Sequence, residues 1–464
     1  MRTEKRRLLV VLFILSVSFV ALIIYLNLFL LFKGEAYLKL SYNRRNLALE
    51  QSVKRGRIED RNGVVIADTL EAKNGFQRDY KYPKTYSHIV GYNSLDYGKA
   101  GLEQTYNLML LGFSGNFAVD EVKKITGINQ GYDLRLSIDH ELQTFAREKL
   151  LRGKGAILSM DLKNGDLLCM ASYPDFDPAK VAESWKELTE RKDFPLINRA
   201  SSGLYPPGSI FKIISANALL SHINPDEIYR SSGEEKVDGY VFHDSKKGGY
   251  GDINLKDAFK FSSNTYFAKM STRLTESDWQ ESVNEFELND PPDFDIYAKK
   301  LDVNFKDLSE VETAAAAIGQ GKLLVTPLSM LEMVSIVAND GVFIRPRLVK
   351  KIISPKGREM ETALKRGITS ISKRNCLAIK EMMRESVKSG TGKRAELKGV
   401  EVCGKTGTAE NSGKVHSWFV GFAPADNPKV AVCVLLEESG KTGGEAAAPI
   451  AGEILKKALE IKEE

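Results

Sequence analysis

Ser209 and Lys212 stand three residues apart in "LYPPGSIFKIISANALL", where two prolines and a glycine give way to an apolar run. On a helix that spacing stacks both side chains on one face. A lysine set among Ile, Phe and Ala loses hydration, which lowers its pKa and leaves a neutral amine able to take a proton from a nearby hydroxyl. The chemistry on offer is nucleophilic catalysis by an activated serine. The same spacing recurs in "SISK" at Ser370 to Lys373, but within the polar stretch "RGITSISKRN", which reads as a solvated segment.

Two further short motifs follow in order. "LKDAFKFSSNTYFAKM" holds Ser262, Ser263 and Asn264 on or beside a second helix. Taken alone this is an ordinary Ser/Asn helix interruption. The triplet KTG occurs twice, at Lys405 to Gly407 and at Lys441 to Gly443. Only Lys405 follows a strand-like run, "VEVC", and precedes another strand; Lys441 falls in a Gly-rich turn. The order SxxK, SxN, KTG, each on its expected element, turns three weak signals into one strong one. Metal chemistry has no support, since the five histidines form no HExxH and Cys169, Cys376, Cys403 and Cys433 match no metal-ligand spacing. They read as packed thiols, with three disulfide pairings open if the compartment is oxidising.

The elements that must hold these groups follow from pattern. "GAILSMDLKNGDLLCMASYP" is two apolar runs joined at Asn164-Gly165, a strong hairpin signal. "KGVEVCGKTGTAE", "SWFVGFAP" and "KVAVCVLLEE" read as three more strands and "AAAPIAGEILKKALE" as a closing helix, while "SIDHELQTFAREKLL" starts a helix at Ser137 or Asp139. Between the strand groups, roughly residues 177 to 380, the chain reads as mostly helical. Strands at both ends with helices between them predict an α+β domain over residues 131–464, an antiparallel sheet flanked by helices and completed by the two ends. Residues 34–130 read as a non-catalytic module of strands and loops. No repeat or low-complexity linker separates the two, so they should touch.

From Leu8 to Phe32 the sequence carries no charge and is long enough, as a helix, to cross a bilayer core of about 30 Å. Residues 1–33 are therefore expected to be a cytoplasmic tail and one transmembrane helix. A cleaved signal would have a shorter apolar region and an A-x-A-like site. Arg2, Lys5, Arg6 and Arg7 precede the span and place the N-terminus in the cytoplasm and the rest outside the cell membrane. The net charge is +5, of which the first seven residues carry +3, and the +2 left on the remainder is too little for a nucleic-acid surface.

With the three motifs in this order, the sequence resembles the penicillin-binding proteins and serine β-lactamases. The resemblance covers nearly the whole chain after the span. "RGRIEDRNG", "HIVGY" and "GLEQTYNLMLLG" look like the N-terminal pedestal of class B penicillin-binding proteins, and "AIGQGKLLVTPLSM", "SGTGKRAEL" and "SWFVGFAP" look like their transpeptidase domain. The short pedestal is closest to the compact group called penicillin-binding protein A. The resemblance implies a bacterial peptidoglycan D,D-transpeptidase of the cell wall, bound and inhibited by β-lactams, with no cofactor. Ser209 would attack the penultimate D-Ala carbonyl of a stem peptide and form an acyl-enzyme. Lys212 would take the hydroxyl proton, Ser262 would relay it to the leaving D-Ala, and Asn264 would position Lys212 and a substrate amide. Lys405 would supply positive field and, with Thr406 and Thr408, attract the terminal carboxylate. Gly407 would leave room for substrate along the strand edge, and the N–H groups of Ser209 and Thr408 would form the oxyanion hole. A polytopic SEDS-type glycan polymerase is the implied membrane partner.

Two rivals share the triad. A serine β-lactamase or D,D-carboxypeptidase would send water to the ester, and "EFELN" at Glu285 to Asn289 superficially matches a lactamase deacylation motif. It falls where penicillin-binding proteins have a helix and loop, and an anchored pedestal is foreign to a small secreted hydrolase. A β-lactam sensor would need a cytoplasmic signalling part, which seven residues do not provide.

Overall fold

The computed structural model describes residues 2–38, 52–72, 75–113, 130–411 and 414–463. Parts of the expected pedestal, at 39–51, 73–74 and 114–129, lie outside the described residues. The N-terminal segment is a single helix, Arg2–Leu38, and its described side chains, at 6, 7 and 9–25, are all exposed. The rest of the uncharged run lies outside the described side chains. Among the described residues, no helix is long and apolar enough to cross a membrane.

The larger part of the chain is built on a five-stranded antiparallel sheet in the order Cys403–Asn411, Lys414–Ala423, Val430–Glu437, Lys154–Asp161, Leu167–Tyr173. Strands from the two ends of the domain meet in the middle, where Val434 pairs with Ile157. The turn at Asn164-Gly165 joins the last two, with Gly165 at φ +73°. Alternation along Val430–Glu437 divides the core: Val432 and Val434 pack with Leu142, Ala447 and Ile454, while Cys433 and Leu435 pack with Ile210, Met330 and Val334. The helices His140–Leu150 and Gly443–Glu463 thus cover one face and the large helical region the other. Asp139 caps the first of these helices by accepting from Leu142 N. The four cysteines are buried free thiols.

A second, six-stranded sheet runs Glu359–Glu361, Val349–Ile353, Asp133–Leu136, Ile58–Glu59, Val65–Ala72, Gly75–Tyr80. It crosses the expected boundary at residue 130, because strands from far along the chain extend it through Asp133–Leu136. Tyr106 strengthens this junction by donating at 2.5 Å to Asp295, whose other oxygen accepts from Leu348 N and Val349 N. The expectation of a mostly helical stretch over 177 to 380 needs a correction. Short hairpins interrupt it, including Glu234–Val237 paired with Tyr240–His243. Asp238 and Gly239 both have positive φ, the conformation that a two-residue turn twisting with its strands requires.

Candidate active site

Ser209 lies in a one-turn 3-10 segment, Gly208–Phe211, that runs straight into the helix Lys212–His222. The turn sits against the strand Cys403–Asn411: a Cβ on Gly208 would be 2.6 Å from Thr408 O, and Gly208 is at φ +56°, so only glycine fits. Gly208 N donates to Gly319 O, and Trp418 Nε1 on the neighbouring strand donates to Pro206 O. The nucleophile is thereby fixed by its backbone, while Ser209 Oγ holds no hydrogen bond among the described residues and opens into the cleft.

Lys212 is fully buried, with its Nζ 5.3 Å from the centre of the Phe267 ring. It donates to Ser262 O and to Asn264 Oδ1, both at 2.8 Å, and lies 3.4 Å from Ser262 Oγ. A neutral amine has two N–H groups, and these two short bonds use both. Its lone pair is then left for a hydroxyl proton. Ser262 occupies the joint between the helices Leu255–Phe261 and Asn264–Ser271 in the left-handed conformation, φ 59°, uncommon for a residue with a Cβ. That joint turns its hydroxyl inward, where it accepts from Lys405 Nζ at 2.8 Å. Ser262 therefore bridges the two lysines.

Lys405 projects from the free edge strand of the sheet, is fully buried, and lies 5.5 Å from the Phe259 ring. Thr406 and Thr408 line the same cleft of 1370 Å³ as Ser209, Ser262 and Asn264. Thr406 Oγ1 donates to Thr391 Oγ1 at 2.7 Å, and Thr408 Oγ1 accepts from Gly443 N. Gly407 has a packing role besides the one expected. A Cβ there would lie 2.8 Å from Pro207 O and 3.0 Å from Ile210 Cγ2 and Trp418 Cβ. The missing side chain lets the serine-bearing turn close on the strand.

Burial lowers Lys212 well below the ordinary lysine range; the Lys405 charge lowers it further and Asp244 opposes both. Burial alone brings Lys405 to about 7. With Lys212 as the expected base and Lys405 as the expected cation, such a site would work between the two ionisations. The second-order rate of acylation by penicillin should therefore fall as pH rises through about 7, where free Lys405 loses its proton. A bound carboxylate stabilises that charge, so the same limb in the saturated rate should lie at higher pH. Stopped-flow labelling across pH tests both; coincident limbs would contradict a carboxylate contact at Lys405.

The alternatives fall elsewhere. Lys373 is exposed and paired with Asp340, far from the desolvation a base requires. Lys441 is exposed in the turn before the last helix, where its carbonyl accepts from Ser417 Oγ. Glu285 bonds Asn217 Nδ2, more than a turn beyond Lys212 on the nucleophile helix, and its neighbours in "EFELN" are structural. Phe286 and Leu288 are core, and Asn289 pairs with the Val303 backbone through both amide atoms. Among the described residues no cluster of His, Cys, Asp and Glu could hold a metal. Sequence reading missed Asp244, which accepts from the backbone behind Asn264, and gave no role to Thr391, which lies in "SGTGKRAEL" and holds Thr406. Asp244 stands in no spacing with chemical meaning.

Residues 155–456 match the model of the penicillin binding protein transpeptidase domain, and residues 55–131 that of the penicillin binding protein A dimerisation domain. The chain is 30% identical over 455 residues to the peptidoglycan D,D-transpeptidase PbpA of Mycobacterium tuberculosis, covering 90% of this chain and 91% of that one. It superimposes on the D,D-transpeptidase domain of a peptidoglycan glycosyltransferase from Eggerthella lenta with a TM-score of 0.81 at 30% identity, over 89% of this chain and 99% of that one. It also matches the penicillin G acyl-enzyme complex of penicillin-binding protein A from M. tuberculosis, with a TM-score of 0.80 at 27% identity over 88% and 100% of the two chains.

Proposed function

This chain belongs to the penicillin-binding protein transpeptidase family, and from that premise we propose how its residues divide the work of cross-linking peptidoglycan. It is a class B peptidoglycan D,D-transpeptidase that β-lactams acylate. The observation that carries the division of roles is the Ser262 hydroxyl held between Lys212 and Lys405, in the cleft that Ser209 enters.

The lone pair of Lys212 takes the proton of Ser209 as its oxygen bonds to the penultimate D-Ala carbonyl carbon. The Ser209 and Thr408 N–H groups hold the oxyanion, each donor contributing about 3 to 4 kcal/mol in comparable sites. The C–N bond then breaks, and the proton passes from Lys212 through Ser262 to the nitrogen of the departing D-Ala. Asn264 keeps Lys212 aimed and offers its amide to the substrate backbone. The stem peptide lies along the free edge of Cys403–Asn411, with its terminal carboxylate at Lys405, Thr406 and Thr408. An amine of a neighbouring stem peptide attacks the ester, its proton returns to Ser209 Oγ by the same relay, and the cross-link closes.

Transpeptidase and hydrolase differ in what deacylates the enzyme. Glu285, committed to Asn217, does not aim water at Ser209. The penicilloyl ester should persist for many minutes in buffer by intact-mass spectrometry, and Glu285→Gln should leave its lifetime unchanged. Loss within seconds that stops in Glu285→Gln would make the protein a β-lactam hydrolase.

The uncharged run Leu8 to Phe32 and its basic flank support a single span with the N-terminus in the cytoplasm and the catalytic domain outside. A transpeptidase so anchored needs glycan strands supplied beside it, and a SEDS-type polymerase docking on span and pedestal would supply them. Co-purification with such a polymerase should be lost when residues 1–130 are exchanged for an unrelated anchor; persistence would reject this surface.

A further inference from the structure

Asp244 is buried directly behind the second motif and belongs to none of the three. It follows the hairpin strand Tyr240–His243. Its Oδ1 accepts from Asn264 N at 2.6 Å, Thr265 N at 3.1 Å and Ser263 Oγ at 3.0 Å. Its Oδ2 accepts from Thr265 Oγ1 at 2.7 Å and Ser231 Oγ at 2.8 Å. The preceding carbonyl, His243 O, accepts from Asn264 Nδ2 at 3.0 Å, which turns Asn264 Oδ1 toward Lys212. Two consecutive residues of one loop therefore fix both the backbone and the side-chain amide of Asn264, and with them the left-handed turn at Ser262.

We propose that Asp244 is the positioning residue of the second motif: its carboxylate gathers the N–H and hydroxyl donors at the start of the helix Asn264–Ser271 and so aims Ser262 and Asn264 at Lys212. Only a carboxylate suits the place. Its two oxygens accept from every direction, whereas an asparagine there would turn an NH₂ toward N–H or O–H donors that are themselves buried. The anion has a second effect. Asp244 forms no ion pair among the described residues, and its charge acts on the buried amine of Lys212. The charged side chains on the elements beside it are engaged elsewhere: Arg230 with Asp252, Lys260 with Glu385, Lys269 with Glu235, and Lys246 over the Tyr250 ring. Asp244 therefore favours the protonated form of Lys212 and sets how far the pH must rise before that lysine becomes a base. Its position at the foot of the hairpin also ties the motif to the cleft lip, where Tyr240 is exposed.

The inference rests on Lys212 acting as the base, and the test separates the two. The acylation rate by fluorescent penicillin is followed against pH for the wild type, Lys212→Ala, Asp244→Asn and Ser231→Ala, with melting temperatures alongside. Asp244→Asn should lower the plateau by about a hundredfold, the scale of a misplaced catalytic group. Removing the negative charge also makes Lys212 lose its proton more easily, so the acid limb should move to lower pH. Ser231→Ala removes one donor and keeps the charge, so its limb should stay with that of the wild type and its rate within about threefold. A folded Asp244→Asn with the wild-type rate, or with a reduced plateau and an unmoved limb, would overturn the positioning and electrostatic role. If Asp244→Asn fails to fold, Thr265→Val, which removes one donor to the carboxylate from inside the turn, must slow acylation more than Ser231→Ala does; equal rates would overturn it. Lys212→Ala that still acylates at the wild-type rate would instead reject the premise about Lys212.

Discussion

Replacing Ser209 with alanine abolishes covalent labelling by a fluorescent penicillin, and no other serine takes over. The expectation rests on how much must coincide at one hydroxyl. Ser209 lies on a turn whose backbone is locked by Gly208, Gly319 and Trp418, beside an amine that burial holds neutral. Ser262 has the lysines but not the approach, since it sits between their two nitrogens. Ser370, three residues before an exposed and ion-paired Lys373, has no base. The loss should reach the detection limit, at least about a thousandfold, because the residual acceleration in such sites acts only on an attacking group that is no longer there. Peptide mapping of the wild-type adduct is the companion measurement. Label that survives Ser209→Ala, or that maps to Ser370, would sink the assignment.

Lys405→Ala should slow acylation by about a hundredfold to a thousandfold, while Lys441→Ala should change it little. Both lysines stand in the same triplet, so the comparison isolates position from sequence. Lys405 Nζ is buried and donates to Ser262 at 2.8 Å, and its charge depresses Lys212. Its removal takes away a carboxylate contact, unfastens the bridging hydroxyl and raises the pKa of the base together. Lys441 is exposed in the turn before the last helix, where its backbone carbonyl and N–H bond Ser417 and Ser439 and its ammonium faces Glu445 rather than Lys212 or Ser262. Acylation rates at matched penicillin concentrations decide between them, and the reverse order would show that the wrong triplet had been chosen.

The α+β architecture was legible in the chain, and so were the five charged or polar groups, Ser209, Lys212, Ser262, Asn264 and Lys405, that folding brings to one cleft. They were legible because each signal is local. Asn164-Gly165 marks the turn of a hairpin, with Gly165 supplying the positive φ, the apolar run 430 to 435 is buried on both faces, and the surroundings of Lys212 announce a desolvated amine within a few residues. Asp238-Gly239 went unread as a turn, because its strands of four residues are too short for period-two alternation to stand out from helical neighbours. Tertiary structure alone decided the rest, and the reason in each case is a contact between residues far apart in the chain. The second sheet draws strands from 133 to 136 and 349 to 361, so its boundary was not a property of any one stretch. Gly407 packs against the Pro207 carbonyl, two hundred residues earlier, a contact that no local stretch announces. Asp244 was invisible because a lone aspartate in a polar loop becomes a motif only when folding brings the N–H groups of Asn264 and Thr265 to its carboxylate. Burial of Lys405, which brings it to about 7, likewise depends on Phe259 and Ser262 closing over a strand edge whose own sequence says only that a lysine is there.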